Sequence, residues 1–376
     1  MPGQDKDATA MPFDRGPMTF RICHLPQPLP KDALERFAAA AAPPLESVKD
    51  EPLWGWVSGR HLLERRIDHE TALLGGYLHL CLRKAERRIP PALLRAECRL
   101  AELAQMAANK SEHIARKDRK AIKEEVTQRL LPQMPPQLSG VSFTVDAPDN
   151  VLYVAAPSQS VLDTFLGLFC KAIGFEPVAL TPEVAATTLF SLSPEAVPPL
   201  NFSPELPDSQ ASGTLGQNFL TWLWCFQEER HGVLPQTKLG EFSLMMDGPL
   251  VFVAEGPGAY ESAIRKGAPT ISAEAKAALT VGKKLRRAKL VLARARGEEW
   301  SVTVDADEFV FRGLKVPEGE AMDPGSIFEE RMGNLYTFQK VFFALFQRFL
   351  HEFSEPGKVH AFQEQAKKWV RERDGK

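Results

Sequence analysis

The sequence predicts an α+β fold in two mixed halves, and three features predict it. Apolar residues recur at helical spacing in some stretches and at every second position in others. The alternating stretches come in pairs around turn residues, and long helical runs separate the pairs. That order argues for antiparallel hairpins layered with helices and against a doubly wound parallel sheet. A protruding basic helical arm and a long C-terminal helix complete the expected architecture.

Residues 1–17 are dominated by Pro, Gly and Asp without any period and are expected to form a disordered leader. An N-terminal α+β domain is expected over residues 18–180. Phe20–Leu25 reads as its first strand, followed by a helix through Pro30–Ala41 that stops before Pro43 and Pro44. Tyr77–Leu82 is the next strand, with Arg83, Lys84, Arg87 and Arg88 at its end. Pro90 and Pro91 then open a helix, since the first turn tolerates a missing amide proton. Leu93, Leu94, Leu100, Leu103 and Ala107 recur at helical spacing along it, and Ile114, Ile122, Val126 and Leu130 do so along a second helix. Opposite that second stripe stand Arg116, Lys117, Arg119, Lys120 and Lys123, interrupted only by Asp118. Residues 90–131 are therefore expected to form the basic arm, ending at Pro132. From Val141 the period becomes two, and Pro148-Asp149-Asn150 separates Val141–Val145 from Val151–Val154 as a hairpin. Ser158 is placed to cap a helix through Phe165 and Phe169 that Gly174 ends.

Residues 181–216, rich in Pro, Ser and Thr, are expected to be a linker, and 217–355 a C-terminal α+β domain. There Phe219–Phe226 leads into a hairpin, Phe242–Met246 and Leu250–Ala254, turning at Asp247-Gly248. Ser272 caps a short helix that ends at Gly282. Lys283, Lys284, Arg286, Arg287 and Lys289 then enter a strand. Trp300, Val302 and Val304 alternate toward a turn at Asp305–Glu308, from which Phe309 and Phe311 return. The last element expected is a helix from Ser326 to Phe353 with an apolar stripe from Phe328 to Phe349. Phe343, Phe346 and Phe353 widen the stripe enough to suggest contact with a second subunit. Residues 356–376 are expected to be a basic tail.

The 376 residues, 44% of them hydrophobic, suffice for more than one core. The five cysteines are odd in number, widely spaced and free of any CxxC pairing, which suits a reducing compartment. No apolar run is long enough to span a bilayer, and no leader pattern opens the chain, so a cytoplasmic protein without membrane contact is expected. The net charge of −2 conceals a segregation. Residues 60–130 carry a balance of +6 and 265–296 one of +9, whereas 131–264 carry −11. Two basic blocks on an acidic body suggest a surface for a polyanion.

Catalytic and metal-binding signatures are not found: there is no Walker A loop, GxSxG elbow, HExxH or Rossmann fingerprint. His79, inside an apolar strand, reads as a core residue. Asp305, Asp307 and Glu308 sit at an expected turn, where carboxylates serve the backbone, so a metal-dependent nuclease is only the third reading. The expectation is a non-enzyme with no catalytic residue, metal or cofactor. Clustered Lys and Arg without interleaved aromatics suit phosphate contacts on duplex DNA better than stacking with single strands, which stand as a secondary partner. The expected DNA-binding residues are Arg83, Lys84, Arg87, Arg88, Arg116, Lys117, Arg119, Lys120, Lys123, Lys283, Lys284, Arg286, Arg287 and Lys289. The alternative is a protein-interaction scaffold whose basic blocks meet an acidic partner.

The tract Leu82–Pro90, the helical pair after it, Lys123-Glu124-Glu125-Val126, Leu130-Leu131-Pro132, the hairpin from Val141 and the upstream Gly55-Trp56-Val57 resemble the bacterial RdgC family. Leu220-Thr221, Gly282-Lys283, the hairpin through Val304–Leu314 and the terminal helix extend the likeness thinly, to about residues 18–352 in all. The resemblance implies a ring-shaped homodimer, closed by two interfaces, that encircles duplex DNA without sequence preference. It also implies nucleoid association and antagonism toward recombinase-driven strand exchange. Arg83, Lys84, Arg87, Arg116, Arg119, Lys123, Lys283 and Arg287 fall on basic positions of the family pattern. Lys117, Lys120, Lys284, Arg286 and Lys289 are added by proximity. Gln133-Met134-Pro135-Pro136 departs from the basic and aromatic stretch usual there.

Overall fold

The structure, a computed structural model, describes residues 12–254, 261–265, 270, 272–294 and 297–371. In chain order its elements begin with β1 (Met18–His24), α1 (Ala33–Ala39), β2 (Leu53–Ser58), α2 (His69–Ala72), β3 (Leu73–Leu74) and β4 (Tyr77–Arg87). The arm helices α3 (Pro91–Asn109) and α4 (Arg116–Leu130) follow, then β5 (Pro136–Asp146), β6 (Val151–Val154), α5 (Gln159–Ile173), β7 (Val178–Ala179) and α6 (Pro182–Phe190). The remainder comprises α7 (Leu215–Glu229), β8 (Phe242–Val253), β9 (Ser262–Ile264), α8 (Ala273–Thr280), β10 (Lys284–Arg294), β11 (Glu299–Asp305), β12 (Val310–Lys315), α9 (Pro324–Phe353) and α10 (Pro356–Arg371). The mixed α+β class and the antiparallel pairing agree with the sequence.

The chain forms two compact units that interleave along it. This differs from the expected division at a linker. The first unit comprises Pro30–Leu73 and His79–Ser142. In it β2 runs antiparallel to β4, from Leu53 opposite Ala85 to Ser58 opposite Leu80. Gly55 must be glycine because a Cβ there would lie 2.3 Å from the Ala42 Cα. That close approach lets Trp56 accept from the Ala42 amide (2.8 Å) and take the edge of Phe37, ring centroids 4.9 Å apart. Helices α3 and α4 share a small core of Ile89, Ile122, Val126 and Leu130, with Leu94, Cys98, Ala101 and Ile114 packed against it. Lys110, in the left-handed region at φ 49°, ends α3.

The second unit holds residues 12–29, Leu74–Leu78 and 143–371. From Phe143 onward β5 pairs with β6, and the strand order continues through β1, β12, β11, β10 and β8 to β9, each pair antiparallel. Phe219 of α7 lies at the heart of its core, within 6.1 Å, centroid to centroid, of Trp222, Phe309, Phe342, Phe346 and Phe349. Phe311 of β12 stacks on Phe20 at 5.1 Å and meets the edge of Phe342 at 5.0 Å. Each such buried ring contributes roughly 1.5–3 kcal/mol by leaving water.

Several expectations need correction. Residues 1–11 of the expected leader lie outside the described residues, but Phe13 is fully buried and its carbonyl accepts from Arg331 at 2.9 Å. The expected linker 181–216 contains α6, capped by Thr181, and buries Ala185, Ala186, Val197, Leu200 and Phe202 in the core. The hairpin expected around Asp247-Gly248 is one strand. Leu244 pairs with Leu292 and Phe252 with Leu285, so both halves lie along the same partner and cannot fold back on each other. The wide stripe of α9 is covered from within this chain, since Phe343, Phe346 and Phe353 are buried. Part of the expected basic tail is α10, whose Trp369 indole donates to Glu228 at 2.6 Å; residues 372–376 lie outside the described residues. His79 is buried, as the strand pattern implies. Among the described residues no helix is long and apolar enough to cross a membrane.

Candidate nucleic-acid interface

In the second basic block every cation has a partner at short range, a carboxylate for Arg286, Arg287 and Lys289 and a neutral acceptor for Lys283 and Lys284. Lys283 donates to the Ser262 hydroxyl at 2.5 Å. Lys284 is only 4% exposed and donates to the Ser212 carbonyl and to Asn218 Oδ1. Arg286 lies 2.9 Å from Asp307 and 3.7 Å from Glu261, Arg287 lies 2.6 Å from Asp305, and Lys289 lies 3.0 Å from Asp247. The Lys289 ammonium holds the Asp247 carboxyl below its usual range. The acidic stretches of sequence thus supply counter-ions for this block. Lys284, expected at a phosphate, is instead buried and held by two acceptors of the fold.

The same contacts engage the carboxylates of the turn with arginines. Asp305 is buried beside Arg287, and Asp307 also accepts from Gln217 at 2.7 Å and Thr214 at 3.1 Å. Glu308 faces Arg21 at 3.6 Å. Elsewhere among the described residues, Asp208, His360 and Glu364 bring donor atoms within 4.8 Å of one another. Lys367 already bridges the two carboxylates, at 2.8 and 2.9 Å, and holds both below their usual range. Cys23 is pushed up to about 12 by burial, and burial also raises Cys225, so neither thiol is available as a nucleophile.

The tract after β4 divides. Arg83 is 1% exposed, and its guanidinium donates to the carbonyls of Pro43 and Leu62. Burial lowers its proton affinity. It satisfies buried backbone carbonyls where the sequence suggests a phosphate contact. Arg87 likewise donates to Val48 O at 2.9 Å, Pro132 O at 3.2 Å and Met134 O. Lys84 pairs with Glu86 at 2.7 Å and lies over Trp54. Arg88 alone of the four is exposed.

Helix α4 is different. Arg116, Lys117, Arg119, Lys120 and Lys123 are all exposed on α4. Lys120 meets Glu124 at 3.7 Å and Arg119 only grazes Glu102 at 4.0 Å. Among the described residues Arg116, Lys117 and Lys123 form no ion pair. Arg116 to Lys120 occupy the opening turns of α4, where the helix dipole disfavours positive charge. A stabilising sequence would place acids there, so these cations oppose local stability.

Across from α4, helix α3 presents Arg95 and Arg99, which are not among the residues the sequence points to. Their signal is the four-residue spacing that places both on one side of α3. With Leu94, Cys98, Arg119 and Lys123 they line a cleft of about 620 Å³. Glu102 spans the two helices, accepting from Arg99 at 3.2 Å, and Arg129 reaches Glu97 at 2.7 Å. The two basic blocks belong to different units.

Comparison with known proteins bears on the half that contains this arm. Residues 19–191 match the family model described as "Putative exonuclease, RdgC". The chain is 38% identical over 105 residues to "Recombination-associated protein RdgC" of Pseudoalteromonas atlantica, covering 28% of this chain and 34% of that protein. It is 29% identical over 144 residues to the protein so named of Aeromonas hydrophila (37% and 46%). It is 29% identical over 127 residues to that of Tolumonas auensis (33% and 40%). The matched stretch spans less than half the length of each of these relatives. The thin likeness of the second half lies beyond the matched residues. Over residues 19–191, from β1 through α6, the chain is similar to the RdgC family.

Proposed function

We propose that this chain binds duplex DNA without sequence preference through the exposed cations of α4, and by occupying DNA restrains recombinase-driven strand exchange. The observation that carries the reading is the contrast in pairing. Arg286, Arg287 and Lys289 are spent on carboxylates and Lys283 and Lys284 on neutral acceptors of the fold, whereas Arg116, Lys117 and Lys123 stand exposed and, among the described residues, without any such partner. No Asn, Gln or aromatic residue interleaves with the cations of Arg116–Lys123, so backbone contact with little base reading suits the surface. Single-stranded DNA is the weaker ligand in this reading. Assembly as a homodimer, a ring closed around DNA and residence at the nucleoid draw their support from the family resemblance.

The test is fluorescence anisotropy with two unrelated duplexes, titrated at several salt concentrations. Four phosphate contacts weaken binding roughly a hundredfold between 50 and 200 mM salt. The expected result is that steep slope, equal for both sequences, with the labelled ends intact after magnesium is added. Salt-insensitive binding, or none, contradicts the proposal. End-dependent loss of label with magnesium favours instead the exonuclease activity named in the family description.

A further inference from the structure

The cleft between α3 and α4 has a property that a duplex does not use. Leu94 and Cys98 form its floor, half-buried against the small core of the arm. Arg95, Arg99, Arg119 and Lys123 form its rim, with their aliphatic stems continuing the apolar lining. Phosphates would be drawn to the rim, but the outer face of a duplex offers no large apolar group for the floor, which would stay wet. A cleft of about 620 Å³ is within the roughly 300–1,000 Å³ typical of ligand sites. Its occupant must satisfy both features at once.

We infer that this cleft docks a short acidic peptide segment that carries a bulky apolar side chain. The carboxylates meet the four rim cations, which exceed the single acid beside them, Glu102. The apolar side chain displaces water from the floor, which supplies the non-directional part of the affinity. Charge alone would also attract an acidic peptide to the rest of α4. The floor is what makes the α3 side selective. Because Arg119 and Lys123 belong to both surfaces, an occupied cleft removes two cations from the DNA-binding face. An acidic partner docked there weakens duplex binding.

The test uses the full chain and a fluorescein-labelled pentapeptide of three aspartates followed by leucine and phenylalanine. A second peptide carries alanine at both apolar positions. The first peptide is expected to bind at least about tenfold more tightly than the second, about 1.4 kcal/mol, which burial of one large apolar side chain suffices to supply. Arg95→Ala with Arg99→Ala is expected to lower the affinity of the first peptide about tenfold while leaving the salt slope of duplex binding unchanged. Equal affinity for the two peptides would reduce the site to charge attraction and overturn the inference, as would binding of neither. These outcomes are separable from the DNA reading: peptide binding without duplex binding sinks that reading alone, and duplex binding without peptide discrimination sinks only the inference.

Discussion

Arg116→Glu, Lys117→Glu and Lys123→Glu in one chain should lower duplex affinity at moderate salt by about a hundredfold or more. The salt slope should fall by about three units, at roughly 0.9 for each phosphate that is no longer neutralised. The same variant should melt at the wild-type temperature or above it. All three positions are exposed, and surface changes away from a partner cost within about 0.5 kcal/mol. Arg116 and Lys117 are the first two residues of α4, where an acid interacts favourably with the helix dipole by about 0.3–1 kcal/mol each. Affinity and stability should therefore move in opposite directions, as expected of charges kept for function at a local cost. Anisotropy and a thermal melt on the same sample check both halves. Unchanged duplex binding would remove α4 from the interface.

Truncating the other basic block should do the reverse. Arg287→Ala leaves the Asp305 carboxylate 4% exposed without its 2.6 Å partner. Breaking a buried pair on one side costs about 3–5 kcal/mol when nothing compensates. Arg286 remains 4.0 Å from Asp305, and the Arg287 side chain is itself one-third exposed, so about 2–3 kcal/mol is the expected loss here. Adding Lys284→Ala should deepen it, because Asn218 Oδ1 and the Ser212 carbonyl are deprived of a buried donor. The salt slope of duplex binding by the folded protein should not change. Arg287→Met combined with Asp305→Asn should recover part of the stability, since removing both charges leaves none uncompensated. A fully stable Arg287→Ala protein with a flattened salt slope would return this block to the DNA surface.

The helices α3 and α4 are legible directly in the chain. Their stripes repeat every three or four residues, their start is marked by Pro90 and Pro91, and their cations alternate with few acids, all of which are local properties. The β5–β6 hairpin is equally local, with Asn150 adopting the positive φ that its turn signal implies. What fails depends on partners distant in sequence. Asp247-Gly248 carries turn chemistry, but β10 is long enough to pair with both halves of β8 and keeps them in line. The Pro-rich stretch 181–216 resembles a linker by composition, yet Leu200 and Phe202 find a core to enter and the Leu200 amide finds Asn218. Segment charge misleads for the same reason. The +9 of residues 265–296 is a sum along the chain, whereas Arg287 and Lys289 meet acids 18 and 42 residues away. Arg83 carries a warning that composition hides, since it continues the apolar strand Leu80-Cys81-Leu82 and so faces backbone.

In the proposed mode of binding, DNA meets the cations that the fold leaves unpaired. Lysine acetylation mapped by mass spectrometry, with and without saturating duplex, addresses it directly. Lys117 and Lys123 should be protected by DNA, while Lys283 and Lys289 should react to the same extent in both samples. Protection of Lys283 and Lys289 with Lys117 and Lys123 unaffected would rule out this mode of binding.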